Sequence, residues 1–193
     1  MALSLQCGCG LVRGEATIVA AEANRVRCYC DDCQTFARHL GKHELLDGYG
    51  GSDIVQMTPA DVRITQGAEH LRGLRLSPKG TFRWYASCCN TPFANSLSAG
   101  WAFLGLYAAM IEDFDGPEPA KINGRFSDGA PDAHPKASVG SILRVMLRLG
   151  TSRLRGRHRP SPVFPKGEPI SEPQILSREE RRSAYPDHLP NPY

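Results

Sequence analysis

The stretch CYCDDCQ, residues 28–34, sets three thiols, Cys28, Cys30 and Cys33, within six residues, with Asp31 and Asp32 between the last two. Just before it, RVRCYC alternates and places Val26, Cys28 and Cys30 on one face of a predicted strand. Just after it, DCQTFARHLGKHELL has helical periodicity. Phe36, Leu40 and one of Leu45 or Leu46 form the apolar stripe, and Gly41 is placed to end or bend the helix. A CxC turn and a CxxC turn each let two side chains converge on one tetrahedral metal.

Outward from this point the pattern is mostly strand. Residues 3–19 read as a strand, a CGCG turn and a second strand. After the glycine-rich DGYGGSD come IVQM, DVRIT, LRGLRLS and TFRWYAS, short alternating segments separated by TPA, QGAEH and SPKG. In TFRWYAS, Phe82, Trp84 and Ala86 share one face and Arg83 and Tyr85 the other. TPFANS and WAFLGLYAAMI follow. So many short strands predict a mainly β domain over residues 1–115. Residues 116–193 read as a C-terminal extension. It starts with the loop-like DGPEPAKINGRFSDGAPDAHPK and continues with a basic amphipathic helix over 138–150, where Ile142, Val145, Met146 and Leu149 face one way. A proline-rich, irregular tail closes it. The 15 prolines and 19 glycines fit this many turns.

The bulk composition excludes several classes. A net charge of +3 calls for neither a nucleic-acid nor a membrane partner. No apolar run reaches the length of about 18 residues that spans a bilayer. The start, MALSLQCGCG, lacks the basic and apolar regions of a signal peptide. The chain therefore reads as cytoplasmic, where clustered cysteines serve as metal ligands or reactive thiols more often than as disulfides.

The 7 cysteines fall in three clumps: Cys7 and Cys9, then Cys28, Cys30 and Cys33, then Cys88 and Cys89. They divide as four plus three. Cys28, Cys30 and Cys33 suit a three-thiolate zinc site with one position left open. Cys7, Cys9, Cys88 and Cys89 suit a closed, structural one, giving two zinc ions per chain. Adjacent Cys88 and Cys89 would point to opposite faces of a strand, so they can share a metal only at a bulge or turn, which Asn90-Thr91-Pro92 allows. Two other readings stand beside this one. Cys88 or Cys89 taken singly is an ordinary buried thiol. Cys30 and Cys33 form a redox pair, although the βαβ setting of such a pair is missing.

In order and spacing these motifs resemble the glutathione-dependent formaldehyde-activating enzyme family, which includes centromere protein V. The resemblance rests on Cys7-Gly8-Cys9-Gly10, on Cys28 to Cys33, and on Ala86 to Thr91, over about residues 3–110. It implies a β-tent fold of small antiparallel sheets around zinc and carbon–sulfur lyase activity on glutathione or another thiol adduct of a small aldehyde. It also implies a catalytic zinc on Cys28, Cys30 and Cys33 and a structural zinc on Cys7, Cys9 and Cys89. The third motif departs from the family pattern. Ala86 stands where the first cysteine belongs, Cys88 is placed to substitute, and Asn90 replaces a glycine at a turn that asparagine tolerates.

A site for glutathione needs cations, and Arg27, Arg38, Lys42 and Arg83 are the nearby candidates. His39 and His43, at helical spacing, are candidates for a fourth ligand or a proton carrier, with a surface role favoured. Asp31 and Asp32 are expected to cap the helix rather than to support the metal. The arginines at 144, 148, 153, 155, 157 and 159 crowd one segment with no acidic residue among them, which suits a nucleic-acid backbone or an anionic membrane surface or, as favoured here, the solvated basic face of a packed amphipathic helix. Packing of its apolar stripe on the β domain is expected. The alternative to an enzyme is a non-catalytic zinc-stabilised module that binds a partner through this helix.

Overall fold

The alternating segments form strands, and their turn residues end them. In the computed structural model, which describes residues 2–18, 24–129 and 139–193, the chain runs β1 (Ala2–Gln6), β2 (Arg13–Thr17), β3 (Asn24–Cys28) and α1 (Asp31–His39). It continues with β4 (Ser52–Met57), β5 (Val62–Gln66), β6 (Leu71–Arg75), β7 (Phe82–Ala86), β8 (Thr91–Ser96) and β9 (Leu104–Tyr107). Then follow β10 (Ala120–Ile122), α2 (Val139–Leu154), β11 (Gln174–Ile175) and α3 (Arg178–Ala184). The fold is mainly β with a C-terminal helix, as expected, but the tail that read as irregular also holds β11 and the helix α3, which Ser177 and Glu180 cap. The far end of the second predicted strand, at residue 19, and the first residue of the predicted C-terminal helix lie outside the described residues.

Among the described residues two sheets form: a three-stranded one, β1-β2-β5, and an eight-stranded one, β10-β3-β4-β9-β8-β7-β6-β11. All pairings are antiparallel except at the two edges, where β10 joins β3 and β11 joins β6 in parallel. The smaller sheet meets expectation. The larger one is widened by segments beyond residue 116, and β10 lies inside a stretch that read as loop.

Neighbouring residues of single strands enter different clusters, which shows that the larger sheet is covered on both faces. Val55, Trp84 and Leu106 join one core with Leu5, Ala16 and Val62 of the smaller sheet. Ile54, Tyr85 and Tyr107 join the other, with Phe36 of α1 and Leu40 just after it. Period-two alternation on a sheet buried from both sides explains why Arg83, on the second face, is only 3% exposed.

Helix α1 ends as the sequence predicts. Gly41 takes φ +67°, its N–H donates to Arg38 O at 2.9 Å, and Lys42 N–H donates to Ala37 O at 2.8 Å. This paired arrangement needs the left-handed conformation that glycine adopts without strain. Helix α2 packs only in part as expected. Val145 and Leu149 are half-buried, lining a crevice with Met57 and Phe103, but Met146 is 52% exposed. The Ile142 side chain lies outside the described set.

The C-terminal segments supply core. Phe164 is buried against Phe82 and Trp84, Val163 is buried in the same core, and α3 packs on α1. No helix among the described residues is long and apolar enough to cross a membrane.

Candidate metal centres

The cysteines come together as four and three. The sulfurs of Cys7, Cys9, Cys88 and Cys89 all lie within 4.8 Å of one another, and so do those of Cys28, Cys30 and Cys33. Each group can hold a metal ion. The fit can be tested on distance. Zn–S bonds of about 2.3 Å in a tetrahedron set sulfurs about 3.8 Å apart. In the first group Cys7–Cys9 is 3.6 Å, Cys7–Cys88 3.8 Å, Cys9–Cys88 3.3 Å and Cys88–Cys89 3.9 Å. Four sulfurs at this spacing suit a thiophilic tetrahedral ion.

Two turns build the four-cysteine group. Between β1 and β2, Cys7 N–H donates to Val12 O at 3.0 Å and Gly10 N–H to Cys7 O at 2.8 Å. Between β7 and β8, the chain turns over Ser87 to Asn90, and Asn90 takes φ +57°. This left-handed residue resolves the problem of adjacent cysteines: Cys88 and Cys89 lie in a hairpin turn, not a strand, so both sulfurs can face Cys7 and Cys9. Gly8 N–H donates to Thr91 Oγ1 at 3.0 Å and locks the two turns together. Burial pushes the Cys89 thiol up, but hydrogen bonds with the Thr91 hydroxyl and backbone outweigh it and bring the thiol to about 6. Burial and bonds to Cys9 and Cys7 push Cys88 up instead.

The three-cysteine group lies on the opposite face of the large sheet, at the junction of β3 and α1. Strand pairing stops at Cys28, and Cys30 becomes the residue that caps α1. Cys30 is thus not on the Val26–Cys28 strand face as the alternation suggested. The helix start carries it to the same point by another route. Tyr29, between the two, is fully buried. Its hydroxyl donates to Asp47 Oδ2 at 3.0 Å. Gln34 Nε2 donates to Tyr29 O and to Phe126 O, both at 2.8 Å. A Cβ on Gly50 would strike the Gln34 side chain, and one on Gly51 would strike Tyr29. The glycine-rich loop after α1 is therefore wrapped tightly around the motif.

The surroundings of these thiols are polar and charged. Arg83 Nη1 lies 3.7 Å from Cys33 Sγ and 3.4 Å from Asn95 Oδ1, and its Nη2 lies 3.4 Å from Asp32 Oδ2. Asn123 Nδ2 donates to Cys28 Sγ at 3.3 Å. Hydrogen bonds from Cys28 and Cys30 hold the Cys33 thiol well below its ordinary range despite burial, and the Arg83 guanidinium adds to this. Bonds to Cys28 and Cys33, with burial, push Cys30 up. A metal held here would take the thiols as thiolates and displace their protons.

Of the candidate cations, only Arg83 reaches a cysteine. Arg27 pairs with Asp47 and Asp53, Arg38 with Asp187, and Lys42 with Glu44. His39 ends α1 and His43 falls in a separate short helical turn beyond Gly41. The two histidines therefore do not share a helix face, and neither joins a cysteine group. The aspartates do not cap α1 with their side chains. Asp32 pairs with Arg83, and Asp31 accepts from Tyr185 Oη at 3.3 Å. Asn123, Asn95, Gln34 and Asp47 escaped the sequence reading. Asn123 sits next to a three-residue strand inside a loop-like stretch, far from any cysteine in sequence.

No curated protein matches the chain. A crystal structure of a Rhodobacter sphaeroides protein from structural genomics is similar at 20% identity and a TM-score of 0.42, covering 57% of this chain and 89% of that one. The family match is broader. Over residues 1–174, and so over both cysteine groups, the sequence fits the family of unknown function DUF6151, and the chain belongs to that family.

Proposed function

We propose that the chain binds two zinc ions and is a carbon–sulfur lyase-like enzyme acting on a thiol adduct of a small aldehyde, with glutathione as the thiol to test first. The observation that carries this reading is the division of sulfurs. Four sulfurs lie close enough together to fill a tetrahedral ion's coordination, while three, on the other face of the sheet, would on such an ion leave one position for an exogenous ligand. The order of the cysteine motifs, which resembles that of the formaldehyde-activating family, supports the same division.

When bound at Cys28, Cys30 and Cys33, zinc supplies Lewis acidity that lowers a thiol pKa or polarises a carbonyl. The protein supplies the rest. Three thiolates on a divalent cation leave one net negative charge. Arg83 stands against Cys33 to balance it, and Asp32 holds the guanidinium from the far side. Asn123 fixes the Cys28 sulfur with an N–H. Burial pushes the Tyr107 phenol up, so it remains a neutral O–H beside Asn95. In the reaction, the carbon–sulfur bond forms between the thiol and the aldehyde carbon while the thiol proton passes to the aldehyde oxygen. The reverse step breaks the same bond.

Elemental analysis of protein purified without added metal tests the first half. About two zincs per chain are expected. Cys30→Ser should lose one of them and keep a cooperative melt, because its group lies at a helix start rather than in the core between the sheets. Exchange of formaldehyde with glutathione, followed by NMR, should be accelerated by the wild type and not by Cys30→Ser. Finding about one zinc, lost only with Cys9→Ser, would remove the basis for an enzyme.

A further inference from the structure

Helix α2 has two apolar stripes and uses only one. Val145 and Leu149 face the crevice beside Met57 and Phe103. Leu143, Met146, Leu147 and Leu154 are 59%, 52%, 61% and 90% exposed. At about 100° per residue these four fall within roughly 100° of the helix circumference, a single outward face. Surface leucines scattered singly need no explanation, but four in one stripe on one helix do.

The charges that this segment itself carries are of one sign. Arg148, Arg153, Arg155, Arg157 and Arg159 are all exposed, and no Asp or Glu occurs between Asp132 and Glu168. Arg157 is paired with Asp61. Arg153 donates to the carbonyl of Gly100, which sets Trp101, itself 43% exposed, beside the last turns of the helix. Leucines on one face, with arginines clustered at and just beyond the C-terminal end of the helix and a tryptophan beside that end, are the composition of a helix lying in a lipid–water interface.

We infer that α2 is a docking surface for an anionic lipid bilayer, lying in its plane with Leu143, Met146 and Leu147 inserted and the arginines among the headgroups. The charge argues against the other occupants. A second copy would bring two arginine clusters together. A nucleic-acid backbone would satisfy the arginines and leave the leucines in water. The inference adds a location to the chain and does not depend on the chemistry of the cysteine groups.

The test is co-sedimentation of the full zinc-loaded chain with vesicles of phosphatidylcholine alone and of an equimolar phosphatidylcholine–phosphatidylglycerol mixture. Binding to the mixed vesicles is expected, weakened at least about tenfold on neutral vesicles or by raised salt. The double variant Leu143→Ser with Leu147→Ser should bind at least about tenfold more weakly than wild type, with unchanged melting and zinc content, because both side chains are already in water. Three results would each overturn the inference. One is no binding to the mixed vesicles. Another is equal binding by the double variant. The third is a wild-type dimer in sedimentation velocity that the double variant converts to monomer, which would assign the stripe to self-association.

Discussion

Cys7→Ser is expected to abolish cooperative folding, and a strong chelator is expected to do the same to the intact chain. Cys7 is 1% exposed and sits within the core between the two sheets. Its sulfur meets Cys9 and Cys88 at tetrahedral spacing, so a metal there joins the first turn of the chain to the β7–β8 hairpin. Structural zinc in small domains contributes about 10–16 kcal/mol, which matches or exceeds the whole stability of a typical domain, about 5–15 kcal/mol. A serine oxygen is a poor substitute for a thiolate and leaves three sulfurs with protons to recover. Circular dichroism during a thermal ramp reads the result. A Cys7→Ser protein that melts within a few degrees of wild type would show that this group is not what holds the sheets together. Cys30→Ser is the contrast, because the three-cysteine group stands outside that core.

The second large effect is at Trp84. Its ring is fully buried, lies parallel to Phe82 at 5.8 Å and meets the edge of Phe164 at 5.4 Å. Its Nε1–H donates to Ser96 Oγ at 2.8 Å. Trp84→Ala removes the largest side chain of the core and leaves the Ser96 hydroxyl, on a residue 2% exposed, without its donor. The expected loss is about 3–5 kcal/mol for the cavity, and about 1 kcal/mol more for the hydroxyl. Trp84→Phe should recover most of the first part and none of the second. Urea denaturation of both variants gives the numbers. A loss under about 1 kcal/mol for Trp84→Ala would mean that the aromatic stack is not packed as described.

The strands were legible where apolar residues alternate between turns that carry glycine or proline, which is why β4 to β7 could be placed from pattern alone, whereas β8 and β9 are buried at every position and show no alternation. The pairing of four and three cysteines was legible from spacing and count, and the left-handed turn at Asn90 from residue type. Other features could not be read. β10 and β11 have three and two residues, too few to show any period, and they form only because exposed sheet edges accept them. Met146 was assigned to the packing stripe because α2 carries more apolar residues than one face needs, and periodicity does not say which stripe turns inward. Asp32 near a helix start looks like a cap. Its pairing with Arg83 depends on a strand some fifty residues later, and a local pattern cannot contain that.

The wedge of Val163 and Phe164 under Trp84, with β11 beside β6, has a consequence for translation. Residues 71–86 leave the ribosome well before residues 163–175 are made. In that interval the nascent chain carries an open edge at β6 and an uncovered aromatic face on the adjoining β7. Unpaired edges next to apolar surface recruit other chains. Ribosomes stalled between those points would therefore hold a sticky intermediate, and this protein should lean on chaperones during synthesis more than its folded surface would suggest.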